Sequence, residues 1–361
     1  MAGNRVSLRQ IAEMAGVSVP TVSQILNNKA ANYSSEATRK KVLETARQLN
    51  YRPSFAYRLM QGKTTNTAAI LASTGQLFQE EYLKNLFIEL TSCFERQKWS
   101  VYTGVLTMST EENIEVIHEM NLRGVEKVVL IGTPVGWQEI TTKLDEYAIP
   151  YIGTVEKYYR RSVQNGSAIG VELIIRKLKE TAGKKLKLVC LRSPENDVEN
   201  LPRFKSLCAA YPELTTEECL AMTVFLPPIP ADCADYPAAA CKAGYAVAQK
   251  ILTEDPETRA IVFLNDDFAM GGGYFLMEHP ELLNCVRIAG YNNNMSLNTF
   301  PVPISSGGTP PSLWAEEIVN SLVRKGCFDR IVCPVLHFRE MAPGKKNYPF
   351  WKEDIVQVDL Q

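Results

Sequence analysis

The fold of the N-terminal part is decided by the stretch Val6-Ser-Leu-Arg-Gln-Ile-Ala-Glu-Met-Ala-Gly-Val-Ser-Val-Pro-Thr-Val-Ser-Gln-Ile-Leu-Asn27. It contains two short helical patterns around a glycine. Ser7 can cap the first helix, and the glutamine three residues later completes a capping box. Gly16 stands where the chain must reverse, in a left-handed conformation that glycine adopts at little cost. Ser18 can cap the second helix, and Pro20 lies in its first turn, where a missing N–H matters little. The stretch predicts a helix-turn-helix.

The outer side of the second helix carries mostly small polar side chains, because Val22, Ile25 and Leu26 occupy the inward positions of the helical pattern. A helix with such an outer face suits the major groove of DNA, where hydroxyl and amide groups reach base edges and phosphates. The residues predicted to face outward are Val19, Thr21, Ser23, Gln24 and Asn27.

The charge of the first 63 residues supports binding to a polyanion. They contain ten Lys and Arg residues against three acids, a net charge of +7, whereas the whole chain has a net charge of −1. The rest of the chain therefore carries −8. A protein with a basic N-terminal segment and an acidic remainder is expected to bind nucleic acid through the basic segment alone.

A dense motif extends through this basic segment. It consists of Leu8-x-x-Ile-Ala-x-x-Ala-Gly-Val-Ser-x-x-Thr-Val-Ser-x-x-Leu-Asn27, then Thr38-Arg-x-x-Val42, Leu49-Asn-Tyr51 and Pro53. Over residues 6–63 the sequence resembles the lactose/galactose-repressor family of bacterial transcriptional regulators. The resemblance implies a sequence-specific DNA-binding regulator, a repressor, that acts as a homodimer on a pseudo-palindromic operator in double-stranded DNA.

The residues after the helix-turn-helix predict a third helix and then a hinge. Ser35 can cap a helix that extends to about Asn50, and Pro53 prevents its continuation. In the family that the chain resembles, a short hinge helix follows, which folds when two copies meet on DNA and inserts an apolar side chain into the minor groove. Here Ser54 would cap that helix, and Met60 stands where the family usually has leucine.

Two departures from the family pattern concern DNA specificity. Val19 and Pro20 occupy the positions that usually read bases, and neither side chain can hydrogen-bond a base edge. Val19 can contact a thymine methyl and Gln24 can pair with adenine, which predicts a half-site containing A·T pairs. The full set of predicted DNA-contacting residues is Ser18, Val19, Pro20, Thr21, Ser23, Gln24, Asn27, Lys29, Tyr33, Tyr51, Ser54 and Met60.

The composition of the remaining 300 or so residues predicts a globular protein of the cytoplasm. Hydrophobic residues make up 45% of the chain, no apolar run of about 18 residues suggests a membrane span, and the N-terminus lacks the apolar core of a signal peptide. The nine cysteines are odd in number and include no Cys-x-x-Cys pair, so free thiols are expected. We predict no cofactor, no metal and no membrane partner.

From about residue 67 the chain alternates short apolar runs with helical stretches, which predicts parallel sheets flanked by helices. The resemblance implies an α/β effector domain of two doubly wound lobes, like the periplasmic binding proteins, crossed near 163–166, 289–294 and 325–332. The predicted domains are 1–52 (helix-turn-helix), 53–63 (hinge helix) and 64–361 (effector binding and dimerisation). Within the last, lobe 1 spans about 64–164 and 292–326, and lobe 2 spans about 165–290 and 330–361.

The effector is expected in the cleft between the lobes, at the carboxyl ends of the strands. Weaker family motifs at Arg203-Phe204, Phe263-Leu-Asn-Asp-Asp-Phe-Ala-Met-Gly271 and Gly290-Tyr-Asn-Asn293 supply candidates. Asn292 stands where an aspartate is common, so it can donate as well as accept but carries no charge. The predicted effector-binding residues are Phe78, Trp137, Arg203, Asn265, Asp266 and Asn292. Two simpler interpretations stay open: Asp266 as a helix cap and Arg203 as a surface ion pair.

Three functions from different classes are consistent with an α/β chain of this size. The first is a DNA-binding regulator controlled by a sugar or sugar derivative, or by a sugar acid, phosphate or nucleobase. The second is a solute-binding protein, which should have a signal peptide and no basic head. The third is an enzyme, but no catalytic constellation is evident. Gly271-Gly-Gly273 lacks the Lys-Ser/Thr of a phosphate loop and is expected to permit close helix packing. The sequence favours the regulator.

Overall fold

The computed structural model describes residues 6–26, 34–51, 64–73, 80–155, 159–192, 197–230, 233–323, 330–342, 349 and 351–358. The chain divides into two compact units, Met1–Thr65 and Asn66–Gln361. Several predicted features lie outside the described residues, namely the hinge helix at 53–63 and the side chains of Asn27, Lys29, Tyr33, Ser54, Met60 and Phe78.

The first unit contains the predicted helix-turn-helix and third helix: α1 (Leu8–Ala15), α2 (Val19–Leu26) and α3 (Glu36–Gln48). Ser7 and its N3 glutamine form the expected capping box, and Gly16 has a φ of 71°. Ser35 accepts a hydrogen bond from the Thr38 N–H at the start of α3. The three helices enclose one small apolar core, formed by Ile11, Ala12, Ala15, Val22, Ile25, Val42 and Ala46.

The second unit begins with a four-stranded parallel sheet in the order β2-β1-β3-β4. Its strands are β1 (Thr67–Ser73), β2 (Ser100–Leu106), β3 (Lys127–Ile131) and β4 (Tyr151–Gly153), and the alternating helices are α4 (Glu81–Arg96), α5 (Thr110–Leu122) and α6 (Trp137–Glu146). Apolar side chains of α4, such as Leu86 and Leu90, pack against β1 and β3 on one face of the sheet. This is lobe 1.

Lobe 2 is built on a seven-stranded sheet in the order β13-β12-β10-β9-β8-β6-β7. Its elements are α7 (Ser167–Ala182), β6 (Leu186–Leu191), α8 (Pro202–Ala210), α9 (Thr216–Ala221), β7 (Thr223–Leu226), α10 (Tyr236–Glu254), β8 (Ala260–Val262), α11 (Asp266–Glu278), β9 (Arg287–Ala289), β10 (Ile304–Gly308), β12 (Val335–Met341) and β13 (Trp351–Gln357). The helices α7 and α8 contribute to the core on one face, and α10 and α11 contribute to a separate core on the other. The predicted α/β class is confirmed.

The chain connects the lobes three times. Two of the connections, β5 (Val163–Gln164) and β11 (Arg330–Ile331), pair with each other in parallel. The third was predicted near 289–294 and lies instead after β10, where α12 (Pro311–Val323) returns to the core of lobe 1. The Thr309 hydroxyl lies within hydrogen-bonding distance of the backbone oxygens of Asn165 and Val332 and can donate its single proton to either, so it links this connection to the other two.

The prediction that residues 292–326 belong to lobe 1 is therefore wrong for the part up to β10. That strand pairs in parallel with β9 and antiparallel with β12, within the sheet of lobe 2. Its sequence, Ile304-Ser-Ser-Gly-Gly308, has one large apolar residue and no strand periodicity, yet all five residues are buried. Its small side chains fit at the centre of the sheet. The residues form a strand because β9 and β12, which are distant in the sequence, pair with them, and their own sequence does not predict it.

The three consecutive glycines of α11 lie at close contacts, as predicted. A Cβ on Gly271 would stand 1.9 Å from the backbone oxygen of Cys241 in α10, and one on Gly244 would stand 2.0 Å from that of Phe268. The two helices therefore approach each other closely only because both contact positions lack side chains.

No helix in the described part of the chain is long and apolar enough to span a membrane. Eight described cysteines are free thiols, and the same residues contain no group of three or more His, Cys, Asp or Glu side chains that could hold a metal.

Candidate functional site

The candidate DNA-binding surface is the outer side of α2. Ser18, Val19, Pro20 and Gln24 are exposed, and the Val19 side chain keeps 39% of its accessible surface although it is apolar. Ser18 accepts a hydrogen bond from the Thr21 N–H at 3.3 Å, so it caps α2 as predicted. An exposed apolar group beside exposed amide and hydroxyl groups can contact both a thymine methyl and polar base edges.

Three of the predicted DNA-contacting residues are less exposed. Thr21 and Ser23 are half-buried, and the Thr21 and Ser18 hydroxyls are 2.8 Å apart. Tyr51 is half-buried against the core of the first unit, and its backbone N–H donates to the carbonyl of Ala46. Contacts of these residues with phosphates stay predictions.

In lobe 2 the motif Asn265-Asp266 forms the start of α11. The cap is Asn265, whose side-chain oxygen accepts from the Phe268 N–H at 3.2 Å and whose side-chain nitrogen donates to the Tyr236 hydroxyl at 3.3 Å. The alternative in which Asp266 caps this helix is therefore wrong, because Asp266 is already the first residue of α11 and its carboxylate points elsewhere.

The Asp266 carboxylate lies fully buried between three segments. One oxygen accepts from the Ser306 hydroxyl at 2.6 Å, and the other from the Asn294 N–H at 2.7 Å. Burial raises the pKa of Asp266 to about 7, although the two hydrogen bonds oppose that shift. Both oxygens are thus occupied by donors from the protein, and Asp266 positions the loop after β9.

Arg203 and Tyr291 form a second cluster in lobe 2, near the carboxyl ends of β6 and β9. The Arg203 guanidinium carbon lies 4.7 Å from the centroid of the Tyr291 ring. Burial lowers the pKa of Arg203. Two polar atoms of this cluster, Nη1 of Arg203 and the hydroxyl of Tyr291, are buried and have no hydrogen-bond partner among the described residues. Among the described residues, Arg203 forms no ion pair.

A cavity of about 420 Å³ lies between the lobes. Its walls come from α4 and the start of α12 on one side, and from the loop after β9 and strand β12 on the other. The lining residues that matter for recognition are Tyr82, Asn85, Glu89, Asn292, Asn294 and His337. The volume suits a small ligand, and the amide-rich lining offers both donors and acceptors. Of the predicted effector residues, this cavity includes Asn292.

Sequence reasoning selected some residues that the cavity does not include and missed others. Trp137 packs edge-on against Tyr159, with ring centroids 6.1 Å apart, beside the core of lobe 1. Tyr82 and Asn294 were missed, and Tyr291 was quoted in a motif without being chosen. The signal for Tyr291 and Asn294 was present, because both belong to the Gly290-Tyr-Asn-Asn-Asn294 segment that follows a predicted strand.

Acidic groups from both lobes meet beside this cleft. The Glu81 carboxylate of lobe 1 accepts from the Met295 N–H of lobe 2 at 2.7 Å. Burial first, and the nearby Asp267 carboxylate second, raise the pKa of Glu80 to about 7. Burial likewise raises the pKa of Asp267 to about 6, and Glu81 adds to that shift. Because burial and, second, the closeness of like charges raise these pKa values, we expect the contact between the lobes to depend on pH.

We expect Glu80→Gln to stabilise the protein above neutral pH. Glu80 binds a proton in the fold at a pH where the unfolded chain has lost it, so stability contributed by Glu80 is lost as the pH rises from about 4.5 through 7. The free energy of unfolding of the variant should therefore be about 2 kcal/mol higher than that of the wild type at about pH 8, and it should change less with pH. Denaturant unfolding of the full chain at several pH values measures both. Glu95→Gln, at an exposed position of α4, the helix that begins directly after Glu80, is the control. An unchanged profile for Glu80→Gln would contradict the expectation.

Comparison with known proteins agrees with both units. Residues 7–54 match the family model "Bacterial regulatory proteins, lacI family". The HTH-type transcriptional regulator RegA of Clostridium saccharobutylicum is 24% identical over 345 residues, which cover 88% of this chain and 92% of that protein. TreR of Escherichia coli, also an HTH-type transcriptional regulator, is 24% identical over 80% of this chain and 84% of its own length.

Solved structures show the same fold along the chain. A lac repressor dimer bound to operator and the anti-inducer ONPF matches with a TM-score of 0.70 at 18% identity, covering 92% of this chain and 98% of that one. The regulator CelR in its complex with cellobiose matches with a TM-score of 0.56 at 19% identity, covering 91% and 96%. Together with the helix-turn-helix geometry, these similarities identify the chain as a DNA-binding transcriptional regulator whose residues 7–54 match the lacI family.

Proposed function

We propose that the protein represses transcription as a homodimer on a pseudo-palindromic operator and that a carbohydrate-related effector between its lobes controls DNA binding. The observation that carries the proposal is that one chain has both an exposed α2 surface in its first unit and a cavity of about 420 Å³ between the lobes of its second. Similar proteins support the two halves: the lac repressor structure is a dimer on operator DNA, and CelR holds cellobiose.

A dimer follows from the size of α2. The helix has eight residues, so only a few side chains at its start can reach base edges in one major groove. Two copies related by a two-fold axis would read two half-sites and so recognise a sequence long enough to be specific. We assign the hinge helix to residues 53–63 and the effector-binding and dimerisation domain to residues 64–361 on the basis of the resemblance.

Control by an effector follows from the composition of the cavity walls. Tyr82 and Glu89 belong to lobe 1, whereas Asn292, Asn294 and His337 belong to lobe 2. A ligand that touches both lobes binds best at one angle between them, and it shifts the population toward that angle by its differential affinity. We propose no catalytic reaction for the cleft, and we place the protein in the cytoplasm, where its DNA target is.

The test is selection of DNA by the full chain from a random pool. We expect an enriched inverted repeat with A·T pairs in its half-sites, and an affinity that falls steeply with salt as phosphates release counterions. Gln24→Ala should weaken binding to the selected site by about tenfold and relax the preference at one position of each half-site. Glu13→Ala, on the exposed side of α1 in an ion pair with Arg9, is the matched control and should leave that preference unchanged.

Two results would contradict the proposal. A pool without enrichment, or an affinity that does not change with salt, would show that the basic N-terminal unit does not bind DNA specifically. An enriched site without inverted symmetry would refute the dimer while leaving the DNA-binding role intact.

A further inference from the structure

A second cavity, of about 660 Å³, lies at an edge of the lobe 2 sheet and is larger than the cavity between the lobes. Its walls are strand β7, the loop 227–230 that follows this strand, and one side of helix α10. No described residue lines both cavities. We call this second cavity the edge pocket.

The edge pocket is open because nothing in the described sheet covers the outer side of β7. This strand is the last in the order of the lobe 2 sheet and pairs with β6. Three of the four residues that follow it, Pro227, Pro228 and Pro230, are prolines. Proline has a fixed φ and no N–H to donate, so this loop cannot continue the hydrogen-bonded ladder across the gap.

The side of α10 that faces the pocket has small side chains. Ala239, Ala243, Ala246 and Lys250 follow one another at spacings of four, three and four residues, so they share one face of the helix. Because alanine side chains are short, a groove stays open along this face. Ala239 and Lys250 are eleven residues apart, which makes the groove roughly 16 Å long at the rise of an α-helix.

The edge pocket carries one charge, at one of its ends. Lys250 is the charged residue among the described lining residues, and apart from the Cys233 thiol the others are apolar. The Lys250 side chain is exposed and forms no ion pair within the described chain. Because β6, β7 and β8 are parallel, α10 runs back along the sheet, and Lys250 lies at the opposite end of the groove from the proline loop.

The length and charge of the edge pocket select the class of its ligand. Contiguous apolar surface is rare on soluble proteins and commonly marks a binding site. A long apolar groove fits a linear hydrocarbon chain, and one cation at its end fits one anionic group. A sugar would leave its hydroxyl groups without partners along these walls. A peptide strand would find few backbone partners, since β7 has only four residues.

We infer that the edge pocket binds an aliphatic carboxylate, with its hydrocarbon chain between β7 and α10 and its carboxylate beside Lys250. The inference does not rest on the proposed function, because the edge pocket shares no lining residue with the cavity between the lobes. Most of the affinity is expected from burial of the hydrocarbon chain. The ion pair with the exposed Lys250 adds a modest preference for an anion over a neutral molecule of the same length.

The test is calorimetric titration of the full chain with hexanoate, octanoate and decanoate. We expect one molecule bound per chain and an affinity that rises about tenfold with every two carbons added. Ala246→Leu should weaken the binding of decanoate by at least about tenfold, because Ala246 is an exposed residue of the pocket wall and leucine would occupy the space of the chain. Ala238→Leu is the matched control, at an exposed position of α10 outside the pocket, and should leave the affinity unchanged.

The charge is tested by comparing decanoate with 1-decanol, which has the same chain length and no charge. The wild type should bind decanoate about threefold more tightly than 1-decanol. Lys250→Gln should remove this preference. Lys242→Gln, which changes an exposed lysine of the same helix outside the pocket, should retain it.

Three results would overturn the inference. If decanoate binds Ala246→Leu as tightly as it binds the wild type, or if many molecules bind to each chain, the edge pocket is not the binding site. If the affinity does not rise with chain length, the ligand is not an aliphatic chain. If Lys250→Gln and Lys242→Gln have equal effects on the preference for decanoate, Lys250 does not pair with the carboxylate.

Discussion

Arg339→Ala is expected to lower the free energy of unfolding by about 3–5 kcal/mol, because it removes a buried guanidinium together with its ion pair and its hydrogen bonds. The Arg339 side chain is 1% exposed and lies 2.8 Å from the Glu353 carboxylate. Its two remaining nitrogens donate to the Ile304 carbonyl and to the Asn298 side chain at 3.1 and 3.2 Å. One residue thus links strands β10, β12 and β13 at an edge of the lobe 2 sheet.

The same hairpin offers a matched control. Lys352 forms an ion pair with Glu340 at 3.5 Å, but its side chain is 71% exposed. Exposed pairs contribute little, so Lys352→Ala should change the free energy of unfolding by less than about 1 kcal/mol. Both variants can be compared by urea unfolding monitored with circular dichroism. Equal effects would mean that burial of the Arg339 pair does not determine the stability of this edge.

Gly271→Ala should destabilise the protein by about 3 kcal/mol, although alanine in place of glycine within a helix normally adds about 1 kcal/mol of stability. The reversal of sign is expected because the added Cβ would lie 1.9 Å from the Cys241 carbonyl oxygen and 2.7 Å from the Tyr245 nitrogen. Both are backbone atoms and cannot move without displacing α10. Calorimetric unfolding of the full chain measures the change.

Met277→Ala is the control for this variant, since Met277 lies in the same helix and is 45% exposed. Its effect should stay within about 0.5 kcal/mol. A stabilised Gly271→Ala variant would show that α10 and α11 can separate without cost, and the close approach of the two helices would then have no role in stability.

Features fixed by neighbours in the sequence were the most predictable. The capping box at Ser7, the glycine turn at Gly16 and the cap at Ser35 depend on contacts within a few residues. The inner strands β1 and β3 of lobe 1 are mainly apolar runs, which is typical of strands buried on both faces. Local physics determines these elements, so the sequence pattern is sufficient to recognise them.

The elements that escaped prediction depend on distant partners. Strand β10 has a sequence poor in large apolar residues and is held by β9 and β12 on either side. The role of Asp266 could not be read from its motif, because the donors that occupy its oxygens come from Asn294 and Ser306, 28 and 40 residues away. Whether Tyr291 has a hydrogen-bond partner is likewise a property of the folded cluster and leaves no trace in the local sequence.

The bonds made by Thr309 limit how the lobes can move. Its hydroxyl has one proton and lies within hydrogen-bonding distance of a backbone oxygen of each of the other two connections, so bending of one connection alone would disturb this shared contact. We therefore expect rotation about one axis near Thr309 to be the main relative motion of the lobes. If the lobes move along one coordinate, a ligand has to change only one angle between them. Its binding energy then acts on the motion that alters DNA binding and on no other.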